Sequence, residues 1–340
     1  MSQADLSSSS GVSQGNISKL ENGLIDSADD VVEMIASALN FPSSLFHELD
    51  RIYGLPVSVH PMYRKRSSVG QRSLDKLEAE LNLRLMHVRR LLKSSDLSPE
   101  FSLPELDIED YGSPEEIANL VRRTWLLPSG PLSNLVESVE RAGCIVSLCD
   151  FSNKSVDGVT VNAPGTPPCI FLNRNQPADR QRFSLAHELG HIVMHRVPTP
   201  TMEDEANKFA SELLLPSKEV KPHLTGKLTI QRLAALKPMW RVSMQALLFK
   251  AGELNCITAN QKKYLWIQMS RSGYRRQEPK ELDFPPEQPL ILPELIRIHL
   301  EDLGYKISDL SRFLHVYEDD MLSMHPFPAK ESFGALRLVK

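Results

Sequence analysis

Apolar positions recur at helical spacing along most of this chain, and only three short stretches read as strands. Between 182 and 195 the residues Phe183, Leu185, Ala186, Leu189, Ile192 and Val193 are apolar, which predicts a mostly buried helix. The stretch 202–216 opens on Glu203, Asp204 and Glu205 and closes on Pro216, which predicts a second helix. The connector 196–201, with Pro198 and Pro200, turns the chain back between them. Further helices are expected over 114–125 and 132–142, and strands over 144–149, 158–162 and 169–173. This order of helices and short strands describes an α+β fold that is mostly helical.

The ends of the chain read as helical too. Short helices are expected over 2–9, 13–21, 28–39 and 42–49, with a tight turn at Gly11 and a stop at Asn22-Gly23. Segments 62–68 and 74–92 are basic and helical, carrying Arg64, Lys65, Arg66, Arg84, Arg89, Arg90 and Lys93. Segment 95–113 is polar, acidic and Pro-containing, hence a linker. Helical patterns return over 228–258 and 290–314. We therefore expect four parts: a helical module (1–60), a basic helical linker (61–109), a central α+β domain (110–225) and a helical C-terminal region (226–340).

Composition narrows the setting. With 340 residues, 41% hydrophobic and 24% charged, the chain is of ordinary globular make-up. No apolar run is long enough to span a membrane, and the first residues lack the basic and apolar regions of a secretory signal. Cys144, Cys149, Cys169 and Cys256 form no C-x-x-C pair, and Cys144 and Cys149, in an apolar run, read as buried thiols. A cytoplasmic location is expected. The net charge of −4 carries no global nucleic-acid signal.

The chemistry lies in His187-Glu188-Leu189-Gly190-His191, an H-E-x-x-H pattern on the first predicted helix. Positions i and i+4 share a helix face, so both imidazoles can reach one Zn²⁺. Glu188 projects to the side, where it can serve as general base. A catalytic site needs a third protein ligand. The extended H-E-x-x-H-x-x-G-x-x-H pattern is excluded by Met194 and Val197. His195 stands two turns from His187, about 12 Å along the axis, which is too far. The second helix is the remaining source, with Glu205 placed ahead of Glu203 and Glu212.

The runs Arg182-Phe-Ser-Leu-Ala-His-Glu-Leu-Gly-His191 and Glu203-Asp-Glu-Ala-Asn-Lys-Phe-Ala-Ser-Glu-Leu-Leu-Leu-Pro216 resemble the ImmA/IrrE family of bacterial metallopeptidases. The resemblance covers roughly 110–260 and implies a zincin-like peptidase domain with a small sheet. It also implies Zn²⁺ held by His187, His191 and Glu205, with Glu188 as catalytic base. The implied partner is a regulatory protein substrate, such as a repressor or antitoxin. Strand 169–173 precedes the active helix, and Ile170, Phe171, Leu172 and Asn173 are the expected edge for an extended substrate. His195 is a candidate donor to the oxyanion.

The spacing of Gln3, Gly11, Ile17, Glu21, Gly23 and Ala36 resembles the XRE, lambda-repressor-like, helix-turn-helix class. The resemblance implies that Ser13, Gln14, Asn16 and Lys19 face DNA. In that class a first helix would stand before Ser2, so the module is expected to lack it. Residues 1–60 hold two basic residues against eight acids, which disfavours tight phosphate binding. A homodimer is a further expectation. The alternative function is an XRE-type regulator whose peptidase-like domain acts as sensor or scaffold.

Overall fold

In this computed structural model the described residues are 1–48, 53, 71–151, 156–325 and 336–338. The basic segment with Arg64, Lys65 and Arg66 lies outside them. The N-terminal module consists of α1 (Gln3–Ser10), α2 (Gln14–Glu21) and α3 (Asp29–Leu39) around a small core of Leu6, Val12 and Ile17. Ser2 and Asp5 close a capping box at the start of α1. Gly11, with φ of 76°, ends α1 in the left-handed region, which lets the chain turn directly into α2. Ser13 caps α2 by accepting a hydrogen bond from the Asn16 amide. The two helices are tied by Gln3 Nε2, which donates to Glu21 at 2.6 Å.

The 21-residue helix α4 (Gln71–Leu91) follows, then β1 (Ser95–Leu97), α5 (Ile108–Tyr111), α6 (Pro114–Thr124) and α7 (Leu135–Arg141). Three strands come next: β2 (Ile145–Cys149), β3 (Gly158–Val161) and β4 (Cys169–Asn173). Their spatial order is β2-β4-β3, with β4 parallel to β2 and antiparallel to β3.

That order corrects one expectation. Ile170, Phe171, Leu172 and Asn173 are not an edge: β4 is the central strand, its backbone bonded on both sides. All four residues are buried. The sequence held the signal, because Cys-Ile-Phe-Leu is apolar without alternation, as a strand covered on both faces is. Among the described residues β3 pairs with β4 alone, so β3 is the edge beside the helix that follows.

The sheet separates two cores. Val146, Ile170 and Leu172 face the first, shared with α6, α7 and the helices α8 (Ala178–Met194), α9 (Met202–Leu214), α10 (Ser217–Leu224), α11 (Ile230–Trp240), α12 (Met244–Glu253) and α13 (Ala259–Arg271). This core runs from Leu106 to Met269 and so crosses position 225 without a break. Ile145, Val159, Cys169 and Phe171 face the second core. There Leu77, Leu81, Leu85 and Val88 form one stripe of α4, packed with α14 (Ile291–Arg297), α15 (Ile307–Phe313) and α16 (Glu318–Met324). β5 (Leu336–Leu338) pairs antiparallel with β1. The cysteines are free thiols, and no helix among the described residues is long and apolar enough to cross a membrane.

Buried carboxylates join the segment before α14 to the first core by capping helix starts. Glu278 accepts from the Met244 and Gln245 amides at the head of α12 and pairs with Lys237 at 3.0 Å. Glu287 accepts from the Leu135 and Val136 amides at the head of α7 and pairs with Arg182. Glu140 of α7 accepts from Leu290 N at 2.7 Å, where α14 begins. Among the described residues Glu140 has no cation partner, and burial pushes its pKa up to about 8 against the pull of those backbone N–H groups.

A stability slope follows. The unfolded carboxyl titrates near 4.3, so between about pH 4.3 and 8 the native chain binds one proton more than the unfolded chain. Glu140 therefore lowers stability as pH rises through that window, by at most about 1.4 kcal/mol per pH unit, and adds no slope above it. We expect Glu140→Gln to gain on the wild type as pH rises from 5 to 8, read by urea unfolding at each pH. Parallel curves for the two proteins would show that Glu140 is ionised throughout.

Candidate metal centre

His187 and His191 lie one turn apart on α8, and α9 returns across them. The crossing is close because Gly190 has no side chain. A Cβ there would meet Ala206 Cα at 3.3 Å and Phe209 Cδ1 at 3.1 Å. Ala206, Phe209, Ala210 and Leu213 thus face α8, and Glu203 and Asn207, four residues apart, share one flank of that face.

Glu203 completes a triangle of donor atoms. His187 Nε2 and His191 Nε2 are 3.0 Å apart, and the Glu203 carboxylate oxygens lie 3.6 Å from the first and 3.4 Å from the second. Donors bound at 2.0–2.1 Å in a tetrahedral site stand about 3.3 Å from one another, so the triangle fits one zinc-sized ion. Glu203 Oε1 is also buried without a hydrogen-bond partner, the condition of an atom that lacks its ligand. Among the described residues, these three are the His, Cys, Asp and Glu side chains whose ligand atoms cluster in this way.

Glu205, expected as the third ligand, is not at this triangle. Two residues along a helix of 3.6 per turn place it about 200° around α9 from Glu203. Its Oε2 instead meets His195 Nε2 at 3.0 Å. His195 caps the end of α8, and its Nδ1 is 2.9 Å from His191 Nδ1. With both ring nitrogens engaged, His195 is not placed as an oxyanion donor. His187 Nδ1 meets Asn207 Oδ1 at 3.1 Å. Asn207 was missed in the sequence, although its spacing from Glu203 is the signal that could have found it.

The charges at the triangle support one another. Burial raises the Glu203 carboxyl, but the adjacent His187 and His191 imidazoles outweigh it and bring the pKa down to about 2. Burial likewise pulls His187 down, and Glu203 and Glu188 more than reverse this, leaving it above the usual imidazole value.

Glu188, next to His187 on α8, reaches the sheet. It is buried, and Thr160 of β3 donates to its Oε2 at 2.8 Å. Gly158 of the same strand lies against it: a Cβ there would stand 3.4 Å from Glu188 Cγ, an ordinary contact, and a tighter 3.1 Å from Leu172 Cδ2. The edge strand therefore runs beside the candidate base. Thr160 was not singled out in the sequence, and nothing in its spacing points to it.

The residues expected to face DNA sit together. Ser13, Gln14, Asn16 and Lys19 are all exposed: Ser13 caps α2 with its Oγ, Gln14 and Asn16 stand in its first turn and Lys19 in its last.

A helix-borne His pair, an acid from the returning helix and a flanking carboxylate beside a small sheet define a metallopeptidase-like centre. Accordingly, residues 139–251 match the IrrE N-terminal-like domain of the M78 peptidases, and residues 1–46 match a helix-turn-helix family. No curated protein matches the chain at a significant level. The pairing of these two domains is that of a DNA-binding regulator with a peptidase-like domain, and the peptidase match suggests metal-dependent hydrolysis.

Proposed function

We propose that the chain is a cytoplasmic zinc-dependent endopeptidase coupled to a DNA-binding module, and that it cleaves a repressor- or antitoxin-type regulatory protein. The observation that carries the reading is the triangle of His187, His191 and Glu203 with Glu188 held beside it by Thr160. These three residues would hold the ion, and bound zinc would supply Lewis-acid polarisation of the scissile carbonyl and the attacking water. Glu188 takes the proton of the attacking water and delivers it to the leaving amine. Thr160 occupies one oxygen of Glu188 and leaves the other for that proton. The free edge of β3, over Gly158–Val161, is placed to pair with an extended substrate backbone, which favours an unfolded segment over a folded one. The module with Ser13, Gln14, Asn16 and Lys19 would bring this activity to an operator.

The test is to incubate the zinc-loaded chain with repressor-like products of neighbouring genes. Defined fragments that disappear with a chelator are expected. Stable complexes with no cleavage of any such protein would favour a regulator that uses the peptidase-like domain as a sensor.

A further inference from the structure

We propose that His195 and Glu205 are positioning residues: the relay Glu205–His195–His191 fixes which nitrogen of His191 is left for the metal. This rests on the metal-site reading above and assigns work to two residues outside the ligand set.

The contacts, taken in order from Glu205, set where each proton sits. A Glu205 carboxylate has only lone pairs, so its 3.0 Å contact requires a proton on His195 Nε2. A neutral imidazole carries one N–H, which leaves His195 Nδ1 as a lone pair. The 2.9 Å contact between the two Nδ1 atoms then requires the proton of His191 to sit on Nδ1. His191 Nε2 is consequently the lone pair, and it is the atom 3.0 Å from His187 Nε2 and 3.4 Å from Glu203. On the other arm, Asn207 Oδ1 accepts from His187 Nδ1 and frees His187 Nε2 in the same way. Both histidines thus present Nε2, and each is fixed from behind by a different kind of partner.

The backbone explains why His195 can do this. His187, His191 and His195 are spaced by four along α8, but His195 leaves helical geometry, with φ of −114° and ψ of 89°. That turn carries its ring toward the first turn of α9, where Glu205 stands. The His195 side chain is only 4% exposed, so water is a poor substitute for either contact. Without His195 the His191 ring would lose its Nδ1 partner, and both tautomer and ring orientation would be unfixed.

The experiment measures Zn²⁺ affinity by competition with a chromophoric chelator, on the metal-stripped full chain. The proteins are wild type, His195→Phe, His195→Asn and Glu205→Gln, with thermal unfolding of each metal-free form as the check on folding. Loss of a partner behind a metal-bound histidine typically costs about 10–100-fold in affinity, which we expect for His195→Phe. His195→Asn should recover most of it, because Asn Oδ1 can accept from His191 Nδ1. Glu205→Gln should fall between wild type and His195→Phe. With Co²⁺ as probe, the visible bands should shift in His195→Phe and return in His195→Asn. Wild-type affinity in a folded His195→Phe overturns the relay, as does an Asn variant no better than Phe. Absence of Zn²⁺ binding by the wild type would instead overturn the metal site itself.

Discussion

Glu188→Gln should leave the chain folded and metal-loaded while peptide hydrolysis falls by about 10²–10⁴-fold, the usual contribution of a positioned general base. Glu188 is not one of the three clustered donors, so the change removes no ligand. The amide is nearly isosteric with the carboxylate and can still accept from Thr160 Oγ1, the contact now made at 2.8 Å. It cannot take a proton from water at neutral pH. Initial rates of fragment formation, with zinc content measured on the same samples, separate the two effects. Hydrolysis by the metal-loaded variant at the wild-type rate would remove Glu188 from the reaction.

Lys250→Met should cost about 3–5 kcal/mol of stability, the range for breaking a buried ion pair by removing one partner. Lys250 Nζ lies 2.8 Å from Glu212 Oε2, with both side chains almost fully buried. Glu212 also accepts from Ser217 N and Oγ at the head of α10 and from Asn119 Nδ2 of α6. It therefore ties α6, α9, α10 and α12 together. Burial alone would raise the Glu212 carboxyl, but the Lys250 and Ser217 bonds outweigh it and hold it lowered. Without Lys250 a buried carboxylate is left with neutral donors only, which places the cost toward the lower end of the range. Adding Glu212→Gln should restore much of the loss, since the amide needs no counter-charge. Urea unfolding followed by fluorescence reads this core directly, because Trp125 and Trp240 are buried in it. A single-variant loss below about 1 kcal/mol would show the pair to be solvated.

Much of this was legible in the sequence because it depends on local spacing. The i,i+4 histidines, the acidic start of α9 and the three strands each follow from a short period or a cap, and the structure forms all of them. What was not legible depends on how elements meet. Choosing between Glu203 and Glu205 requires the rotation of α9 about its axis, which is set by the close approach of Ala206 and Phe209 to Gly190. Both acids lie in the same first turn, and composition treats them alike. The edge of the sheet was misplaced for a related reason. The strand nearest α8 in sequence is β4, yet β4 inserts between β2 and β3 and leaves β3 at the margin. The carboxylates Glu278 and Glu287 were equally unreadable, since each caps a helix that starts far away in the chain.

The most direct measurement of the central claim is zinc per chain, by elemental analysis after equilibration with a fixed excess of chelator. Wild type, Glu203→Gln and Glu205→Gln would be compared side by side. We expect about one zinc on the wild type, near-complete loss in Glu203→Gln and substantial retention in Glu205→Gln, because only Glu203 belongs to the donor triangle. Full zinc on Glu203→Gln with loss from Glu205→Gln would contradict the site described here and return the third ligand to Glu205.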